Sequence, residues 1–512
     1  MKQPGLYTAV PPEHSGHFRG QMRAALAVQA VTVLALCALG SCSNTATPRA
    51  QLLVVVDTDA HVVGELGTRP EVSSDAAIDT LRVDVLDASG HAYDAHTFVV
   101  SSPGLADAGV PGSWPVSFGI QPPATATASA LLRLRAFRAL FATSGTVGDG
   151  GATLDPAPEV TIDRLVALTF PSSGEQRVGV TLAEDCMGTA PTFGAKQTTC
   201  VDGSHTAGSP QDGVTSLGDA IPPSSVGTWT PAVEVPCSAQ PGADQVCILG
   251  GFTVVGDLND VGVTETTPAL APVPLRPTIV SPFFLDKFEF TVRRMRMLVQ
   301  SNKLGAPPPL LVNDQSVANS NQCTWLGPTS TGNDDKPVNC IGYASARAAC
   351  QALGGDLPTE AQWEHAARGR GQRRTYPWGD TFPQCCTASL SRPGGQEPQV
   401  ECIGMGLGVE PVGSHPIATS CGNIGDVSRD NVFDLAGSLT EALSTTAAPY
   451  TDPCWSAAGI MRDPRCSTNV SPGARGSYWN AGLGTGFAAR RDTYAATTPV
   501  LGFRCAYPGA SK

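Results

Sequence analysis

The sequence predicts an all-β sandwich domain followed by an α+β domain with many loops. Between residues 51 and 183, short runs of alternating apolar and polar residues are separated by turn-forming clusters, which is the pattern of half-buried strands. The chain contains 55 glycines and 43 prolines but only 15% charged residues, so turns are favoured over long helices. With 512 residues, of which 41% are hydrophobic, it is long enough for several domains that each bury a core.

Charge and cysteine content argue against two classes of protein. The chain has 33 basic and 45 acidic residues and a formal net charge of -12, whereas a nucleic-acid-binding surface is basic. The fourteen cysteines that follow Cys42 contain no C-x-x-C motif, and the eight histidines do not gather beside them, so a zinc site is not expected. We predict up to seven disulfides in an oxidising compartment.

The amino terminus resembles an export signal. Residues 24–39 form an apolar run after Arg19 and Arg23 that is too short for a membrane span but has the length of the central region of a secretory signal. The run ends in LGSC, which resembles the lipobox that precedes a lipidated cysteine. We therefore expect residues 1–41 to be a lipoprotein signal peptide and Cys42 to carry the lipid. The alternative is an uncleaved anchor, or an ordinary signal in which Cys42 has no role.

The expected location is the bacterial cell envelope, with the protein bound to a membrane through its lipid anchor. Ser43 is not the aspartate associated with retention in the inner membrane, so the outer membrane is preferred. Residues 42–50 would form a tether. Translation could start at Met1 or at Met22, because the apolar run follows Met22 closely enough to make a compact signal.

Two regions precede the last part of the chain. Residues 51–183 are predicted to form about six or seven strands of an antiparallel sandwich, such as an immunoglobulin-like one, although the run from 131 to 140 could instead be a short helix. Residues 184–244 are rich in Pro, Gly, Ser and Thr and contain cysteine pairs at 186/200 and 237/247. This segment is predicted to be a linker that is constrained by disulfides between nearby cysteines.

The region from 245 to 512 carries a series of motifs. In chain order they include CILGGFTVVGD, FFLDKFEFTVRRMRMLV, ASARAACQALGGDLPTEAQWEHAARG, YPWGD, NVFDLAGSLTEAL, ARGSYW and LGFRCAYP. In this order and spacing they resemble the sulfatase-modifying-factor family, also called formylglycine-generating-enzyme-like, over about residues 245–508. The resemblance implies a C-type-lectin-like α+β fold with little regular secondary structure, which agrees with the glycine and proline content.

Two helices are predicted from the residues themselves. Thr359 and Gln362 form a T-x-x-Q capping box at the start of one helix, and Gly369 can take the left-handed position after its end. Glu360 and Glu364 would lie near the positive end of its dipole. The segment ASARAACQAL is predicted to be a second helix that places Ala346, Ala349, Cys350 and Leu353 on one face.

The resemblance implies a copper site that this chain lacks. Enzymes of the family oxidise a sulfatase cysteine to formylglycine with molecular oxygen and copper held by two thiolates, which suit a soft cuprous ion. Those cysteines follow the Gly-Ser-aromatic motif, and here the first position holds Asn480 and no cysteine follows. Copper is therefore not expected and the catalytic residues are unknown, with Ser477 and Asn480 as the remaining pocket positions. The adjacent Cys385 and Cys386 could replace the pair, but two separate disulfides are preferred.

A calcium site is expected in the motif DLAGSLTE. Asp434 and Glu441 are two carboxylates seven residues apart that flank a turn, a spacing compatible with an oxygen-preferring ion. The family binds calcium at the matching positions, which implies side-chain ligands from Asp434 and Glu441 and main-chain oxygens from Gly437 and Leu439. The alternative is a solvated aspartate and a glutamate on the face of a helix. The resemblance also implies a Cys350–Cys505 disulfide.

These observations lead to three hypotheses of function. The preferred one is a lipid-anchored pseudoenzyme whose domain binds an envelope protein, a peptide or a glycan, or serves as a scaffold. The second is an active oxidoreductase of the superfamily that uses an altered site for protein cysteine oxidation or a related metal-dependent oxidation. In the third, the amino-terminal sandwich is the functional part. A redox metal would separate the first two, because binding needs at most calcium.

Overall fold

The computed structural model describes residues 49–87, 90–102, 113–122, 129–147, 151–258, 270–316, 320–394, 401–468, 470–494 and 497–509. The predicted signal peptide 1–41 and lipidation site Cys42 lie outside the described residues, as does most of the predicted tether 42–50. The chain from residue 48 onward forms one compact unit. Within the described ranges, no helix has both the length and the apolar character needed to span a membrane.

The amino-terminal part consists of strands in two main sheets. The strands are β1 (Gln51–Thr58), β2 (His61–Val62), β3 (Ala77–Ile78), β4 (Thr80–Leu86), β5 (Ala92–Val99), β6 (Val116–Ile120), β7 (Ser129–Phe137), β8 (Ala142–Val147), β9 (Gly151–Pro156), β10 (Thr161–Thr169), β11 (Glu175–Leu182) and β12 (Val214–Leu217). One sheet has the order β12-β11-β1-β6 and the other the order β10-β7-β4-β5. Alternate residues of both sheets, such as Leu52, Val54, Leu81 and Leu134, are buried in a common core.

The pairing of β1 departs from the antiparallel arrangement predicted from the sequence. β1 runs parallel to β11, with Gln51 opposite Glu175 and Thr58 opposite Leu182. Parallel neighbours need a long connection, which is available because these strands come first and last among the strands that precede the disulfide-rich segment. The run from 131 to 140, which could have been a helix, forms most of β7, a central strand that pairs with β4 and β10.

In the residues that the structure describes, the carboxy-terminal part combines three α-helices with ten short strands. Its elements are β13 (Gln245–Ile248), β14 (Gly251–Val255), β15 (Arg276–Val280), β16 (Phe283–Asp286), α1 (Val292–Gln300), α2 (Tyr343–Ala352), α3 (Glu360–Ala367), β17 (Thr440–Thr446), β18 (Met461–Arg462), β19 (Pro472–Arg475), β20 (Arg491–Thr493), β21 (Leu501–Gly502) and β22 (Ala506–Pro508). They form sheets in the orders β13-β16-β22, β14-β15-β18 and β20-β19-β17-β21. The predicted mixture of α and β structure with few helices is confirmed.

Both helices that were predicted from local signals are present. At the start of α3, the Thr359 hydroxyl accepts from the Gln362 N–H and the Gln362 side chain accepts from the Thr359 N–H, as the capping box requires. Gly369 after its end has a φ of +70°. α2 buries Cys350 as predicted, but Leu353 is 36% exposed because the helix ends at residue 352 and leaves Leu353 at its cap.

The segment 184–244, predicted to be a linker, packs against the parts that flank it. Trp229 and Ala232 are buried in the same core as the strands of the two amino-terminal sheets. Phe252 and Val254 of β14 belong to that core as well, so it continues into the carboxy-terminal part. Across this junction, the Ser74 hydroxyl donates to the Gly371 carbonyl at 2.7 Å. The two amino-terminal sheets and the motif-bearing region are therefore joined by shared apolar packing.

Seven disulfides connect all fourteen cysteines of the described residues. They join Cys186–Cys200, Cys237–Cys247, Cys323–Cys340, Cys350–Cys505, Cys385–Cys402, Cys386–Cys421 and Cys454–Cys466. Six of them close short loops, and the bond between Cys350 in α2 and Cys505 beside β22 closes a separation of 155 residues. The adjacent cysteines at 385 and 386 have different partners, so neither is a free thiol.

Candidate functional site

Ser477 lies on the turn that follows β19 and is fully buried. Its N–H donates to the Ala436 carbonyl at 3.2 Å, and its hydroxyl is 2.6 Å from the Thr485 hydroxyl. The glycine before it, Gly476, has a φ of +82°, and a Cβ there would come within 3.0 Å of the Leu435 carbonyl. A glycine at position 476 of the motif is therefore required by this sharp turn.

Buried ion pairs hold helix α3 against β19, the strand that leads into this turn. The Arg475 guanidinium at the end of β19 donates to Glu360 at 2.9 Å and to Glu364 at 2.6 Å. Arg491 of β20 also donates to Glu360, at 2.6 Å. Arginine charges lower the pKa of Glu360 despite the opposing effect of its burial. The two glutamates, which we expected to interact with the helix dipole, thus act chiefly as ion-pair partners that tie α3 to the sheet.

Asn480 occupies the predicted position of the first copper-binding cysteine. It is only 6% exposed, and its Oδ1 atom is buried without a hydrogen bond in the described part of the chain. The backbone N–H of Trp479, the residue before it, donates to the Ser438 carbonyl at 2.9 Å. An amide oxygen is a poor ligand for a soft cuprous ion. Since the described cysteines are all disulfide-bonded, they supply no thiolate to this place either.

The structure brings the predicted calcium motif next to this turn. Residues 477 and 479 are hydrogen-bonded to residues 436 and 438, so the two predicted sites share a backbone contact. Glu441 at the start of β17 is fully buried, and both of its carboxylate oxygens accept from Arg504 at distances of 2.6 to 2.8 Å. The Trp363 indole N–H of α3 also donates to Glu441, at 2.8 Å. Glu441 is therefore neutralised by a protein cation.

Three further buried carboxylates are Asp434, the first residue of the motif, and Glu289 and Asp426, which contact its backbone. Glu289 accepts from the Ser438 hydroxyl at 2.8 Å and the Leu439 N–H at 2.9 Å. Asp426 accepts from the N–H groups of residues 435–437, and Asp434 accepts from the Gly413 N–H at 2.7 Å. Burial raises the pKa of Asp426 to about 6, and burial together with the Asp426 charge raises the pKa of Asp434 to about 7. Burial, with the nearby Asp434 and Glu441 charges, raises the pKa of Glu289 well above its usual value.

This arrangement fits a calcium ion in part. The carbonyl oxygens of Gly437 and Leu439 accept no hydrogen bond within the described ranges, so both are available to a hard cation. The buried carboxylates also outnumber the single arginine, Arg504, that forms an ion pair with this group. Against this, the Glu441 carboxylate would have to be shared between Arg504 and the ion. The donor set is all oxygen, which suits calcium and excludes a soft metal.

Within the described residues, the metal-ligand side chains that converge in a group of three lie at a different place from this motif. Asp452, Cys454 and Cys466 bring their ligand atoms within 4.8 Å of one another. The two sulfur atoms are bonded to each other, so neither is a thiolate ligand. The group is therefore a disulfide with a nearby carboxylate.

Sequence reasoning missed the partners that come from distant parts of the chain. From the sequence alone, Glu289 and Arg504 were only parts of the motifs FFLDKFEFTVRRMRMLV and LGFRCAYP. Asp426 was not singled out, although DVSRD places it eight residues before Asp434. The sequence did contain a signal for these partners, namely the charged residues Glu289 and Arg504 within the apolar motifs FEFT and GFRC. A charge that is buried among apolar residues needs a partner of opposite charge or hydrogen bonds.

Comparisons with known proteins agree with the motifs. The model of the sulfatase-modifying factor enzyme 1-like domain matches residues 232–508, starting within the segment predicted as a linker. The inactive C-alpha-formylglycine-generating enzyme 2 of Bos taurus is 28% identical over 268 residues, which are 46% of this chain and 79% of that protein. The hercynine oxygenase of Mycolicibacterium thermoresistibile is 39% identical over 100 residues, which are 18% of this chain and 20% of that enzyme.

Solved structures also resemble this chain. The structure of PvdO from Pseudomonas aeruginosa matches with a TM-score of 0.37 and 15% identity, covering 51% of this chain and 93% of that one. The assignment rests on the domain match, which spans more than half of the 512 residues and contains the turn at Ser477 and the buried carboxylates. The chain belongs to the family of proteins with a sulfatase-modifying factor enzyme 1-like, formylglycine-generating-enzyme-like domain.

Proposed function

We propose that this protein is a lipid-anchored protein of the bacterial cell envelope whose family domain binds a partner or serves as a scaffold instead of acting as a copper oxidase. The observation that carries the proposal is that all fourteen described cysteines form disulfides. A copper site built from two thiolates therefore has no ligands, and the position of the first thiolate holds Asn480. Similarity to a relative named as inactive supports this view.

A binding role is supported by the loops of the domain. Two disulfides, Cys385–Cys402 and Cys386–Cys421, connect residues 380–394 with residues 401–421 and hold each of these described stretches. These stretches present large apolar side chains to solvent, namely Phe382, Ile403, Leu407 and Ile417. Loops fixed on a rigid frame are common binding surfaces, and exposed apolar residues favour protein contacts. The expected partner is an envelope protein or peptide, with a glycan as the alternative.

The lipid anchor and the envelope location are proposed from the signal sequence. Cys42 would receive the lipid and, once residues 1–41 are removed, become the first residue of the mature protein, and the outer membrane is the preferred destination. Metabolic labelling with a radioactive fatty acid tests this step directly. We expect label on the wild-type chain and none on Cys42→Ala, whereas label on both would contradict lipidation at this residue.

Calcium is proposed as a structural ion of the domain. Asp434 and the carbonyl oxygens of Gly437 and Leu439 would bind it, with Glu441 sharing its carboxylate with Arg504. A bound ion would offset the buried negative charge that the arginine leaves uncompensated. Calorimetric titration of calcium into wild-type protein and into Asp434→Ala is the test, and equal binding by the two proteins would contradict these ligands.

The oxidase hypothesis is tested on the mature protein with its disulfides intact. The protein is given copper, reductant, air and a cysteine peptide with the sulfatase motif, and the mass of the peptide is followed. We expect no conversion of cysteine to formylglycine, because no thiolate can hold the copper. Conversion that disappears in Ser477→Ala would contradict the proposal and establish a different metal site near this turn.

A second candidate function is an oxidation that uses another metal site. The similarity of 100 residues to a hercynine oxygenase favours it, because that relative is named for a different oxidation. Metal analysis of the purified protein after iron loading separates the two candidates. Retention of stoichiometric iron would support an oxygenase, whereas iron that dialysis removes would favour the binding role.

A further inference from the structure

A cavity lies between the two amino-terminal sheets, where the strands β5 and β6 face each other. Both strands are at sheet edges, since the sheets have the orders β12-β11-β1-β6 and β10-β7-β4-β5. The cavity has a volume of about 420 Å³, which is within the range of small-molecule sites. Its lining residues belong to β4, β5, β6 and the position after β6, so the role proposed for residues 380–394 and 401–421 does not account for it.

The side chains of β5 that line the cavity point toward the core between the sheets. Val83 of β4, which is buried in that core, lies opposite His96 of β5. Directly opposed residues of an antiparallel pair share a face of the sheet, and side chains alternate between the two faces along a strand. Asp94, His96 and Phe98 therefore all project from the inner face of β5.

The walls of the cavity are apolar. Phe118 of β6 lies opposite the core residue Val54 of β1 and therefore also faces inward. Its ring stacks on that of Phe98 across the gap between the sheets, with the ring centroids 6.0 Å apart. Both rings pack against the core but are only partly buried, which leaves apolar surface for an occupant. The apolar residues of the lining are Val83, Val85, Phe98, Phe118 and Ile120.

Among the described residues that line the cavity, Asp94 is the one that carries a carboxylate. Its side chain is 54% exposed, and its Oδ2 atom lies 3.2 Å from Nε2 of His96, an imidazole that is charged only when protonated. In the described part of the chain, no lysine or arginine forms an ion pair with Asp94. The cavity thus combines apolar walls with an accessible negative charge, which is complementary to an apolar molecule with a positive head group.

We propose that this cavity binds an amphiphilic amine, a small molecule with an apolar chain and a primary ammonium group. The chain lies against the rings of Phe98 and Phe118, and the ammonium group pairs with Asp94. A fatty acid has the opposite head group, which the Asp94 carboxylate repels. A peptide strand added to β5 is the other conceivable occupant, but charges that point inward on an edge strand disfavour such addition.

The test is calorimetric titration of the mature protein, with its disulfides intact, at low ionic strength. Octylammonium is the ligand, and octanoate is the matched anion. We expect octylammonium to bind more tightly than octanoate. From butylammonium to octylammonium, affinity should rise about fourfold for each methylene that enters the cavity. Octanoate binding as tightly as octylammonium, or no dependence on chain length, would overturn the proposal.

Charge reversal at Asp94 locates the head group. Because this side chain is exposed, Asp94→Asn should weaken octylammonium binding by only about two- to fivefold. Asp94→Lys should reverse the preference, so that octanoate binds more tightly than octylammonium. The matched control is Asp219→Lys, since Asp219 is an exposed residue that follows β12 at the opposite edge from β6, and it should leave the preference unchanged.

Filling the cavity locates the chain. Val85→Trp places an indole among the apolar walls and should remove binding of octylammonium, provided that circular dichroism shows a folded protein. If this variant does not fold, Asp94→Lys still decides the question, because its site is exposed. An unchanged preference in Asp94→Lys, or octylammonium binding by a folded Val85→Trp protein, would overturn the proposal and leave the inward charges of β5 as a protection against strand addition alone.

Discussion

Removal of the Cys350–Cys505 disulfide should destabilise the protein far more than removal of a short-range disulfide. Both sulfurs are buried in the core beside α2 and β22, and the bond closes a separation of 155 residues. The proposed change is the double substitution Cys350→Ala and Cys505→Ala, which leaves no unpaired thiol. The matched control is Cys237→Ala with Cys247→Ala, which opens a loop with a separation of 10 residues.

The expected loss follows from the entropy of loop closure in the unfolded chain. For a loop of 155 residues at 25 °C the loss is about 5.1 kcal/mol, and for the control loop of 10 residues about 2.7 kcal/mol. Other disulfides lie inside the large loop and shorten its path to about 108 residues, which lowers the figure only to about 4.8 kcal/mol. The difference between the two variants is therefore about 2 kcal/mol.

Urea denaturation, followed by circular dichroism and by tryptophan fluorescence, measures both losses. Coincident transitions from the two probes are required before the free energies of unfolding are compared. Equal losses for the two double variants, or a larger loss for the control, would refute the loop-entropy argument and indicate that local packing around each bond determines its contribution.

Three further predictions concern buried polar groups. Arg504→Lys should lower the free energy of unfolding by about 3 to 5 kcal/mol in urea denaturation, because lysine cannot reproduce the two hydrogen bonds that the guanidinium donates to Glu441. A loss under about 1 kcal/mol would show that this ion pair is dispensable. Burial lowers the pKa of His365 from 6.5 to about 4. As the pH falls from 6.5 to about 4, the unfolded chain therefore takes up a proton on this histidine, whereas the folded protein does not. Over this pH range, the free energy of unfolding should thus fall by about 3 kcal/mol more in the wild-type protein than in His365→Gln. Equal pH dependence of the free energy of unfolding in the two proteins would contradict this prediction. Thr359→Ala should cost about 1 kcal/mol through loss of the α3 cap, checked by thermal unfolding against Thr359→Ser, which keeps the hydroxyl and should be near neutral.

Local features were the ones that sequence reasoning predicted best. The capping box at Thr359 and the positive φ of Gly369 are decided within a few residues, and both are present. The strands of the amino-terminal part follow the alternation of apolar residues, because each strand has one face in the core. The exposed Leu353 shows the limit of this reasoning, since periodicity does not say where a helix ends.

Long-range pairing could not be predicted from such signals. The parallel neighbours β1 and β11 are 124 residues apart, and their contact depends on the path of the chain between them. The segment 184–244 was predicted as a linker from its composition, yet Trp229 within it is buried, because a few apolar residues suffice when a complementary core is available. Composition describes an average over a segment, whereas packing depends on individual side chains.

By itself, the sequence determined the family, the absence of the copper-binding cysteines and the start of α3, because motifs, missing residues and helix caps are local properties of the chain. Only the tertiary structure decided that Glu441 forms an ion pair with Arg504 and that Arg475 forms one with Glu360. The physical reason is that the free energy of a buried charge depends on what surrounds it. Those surroundings come from segments that are distant in sequence and meet only when the chain folds.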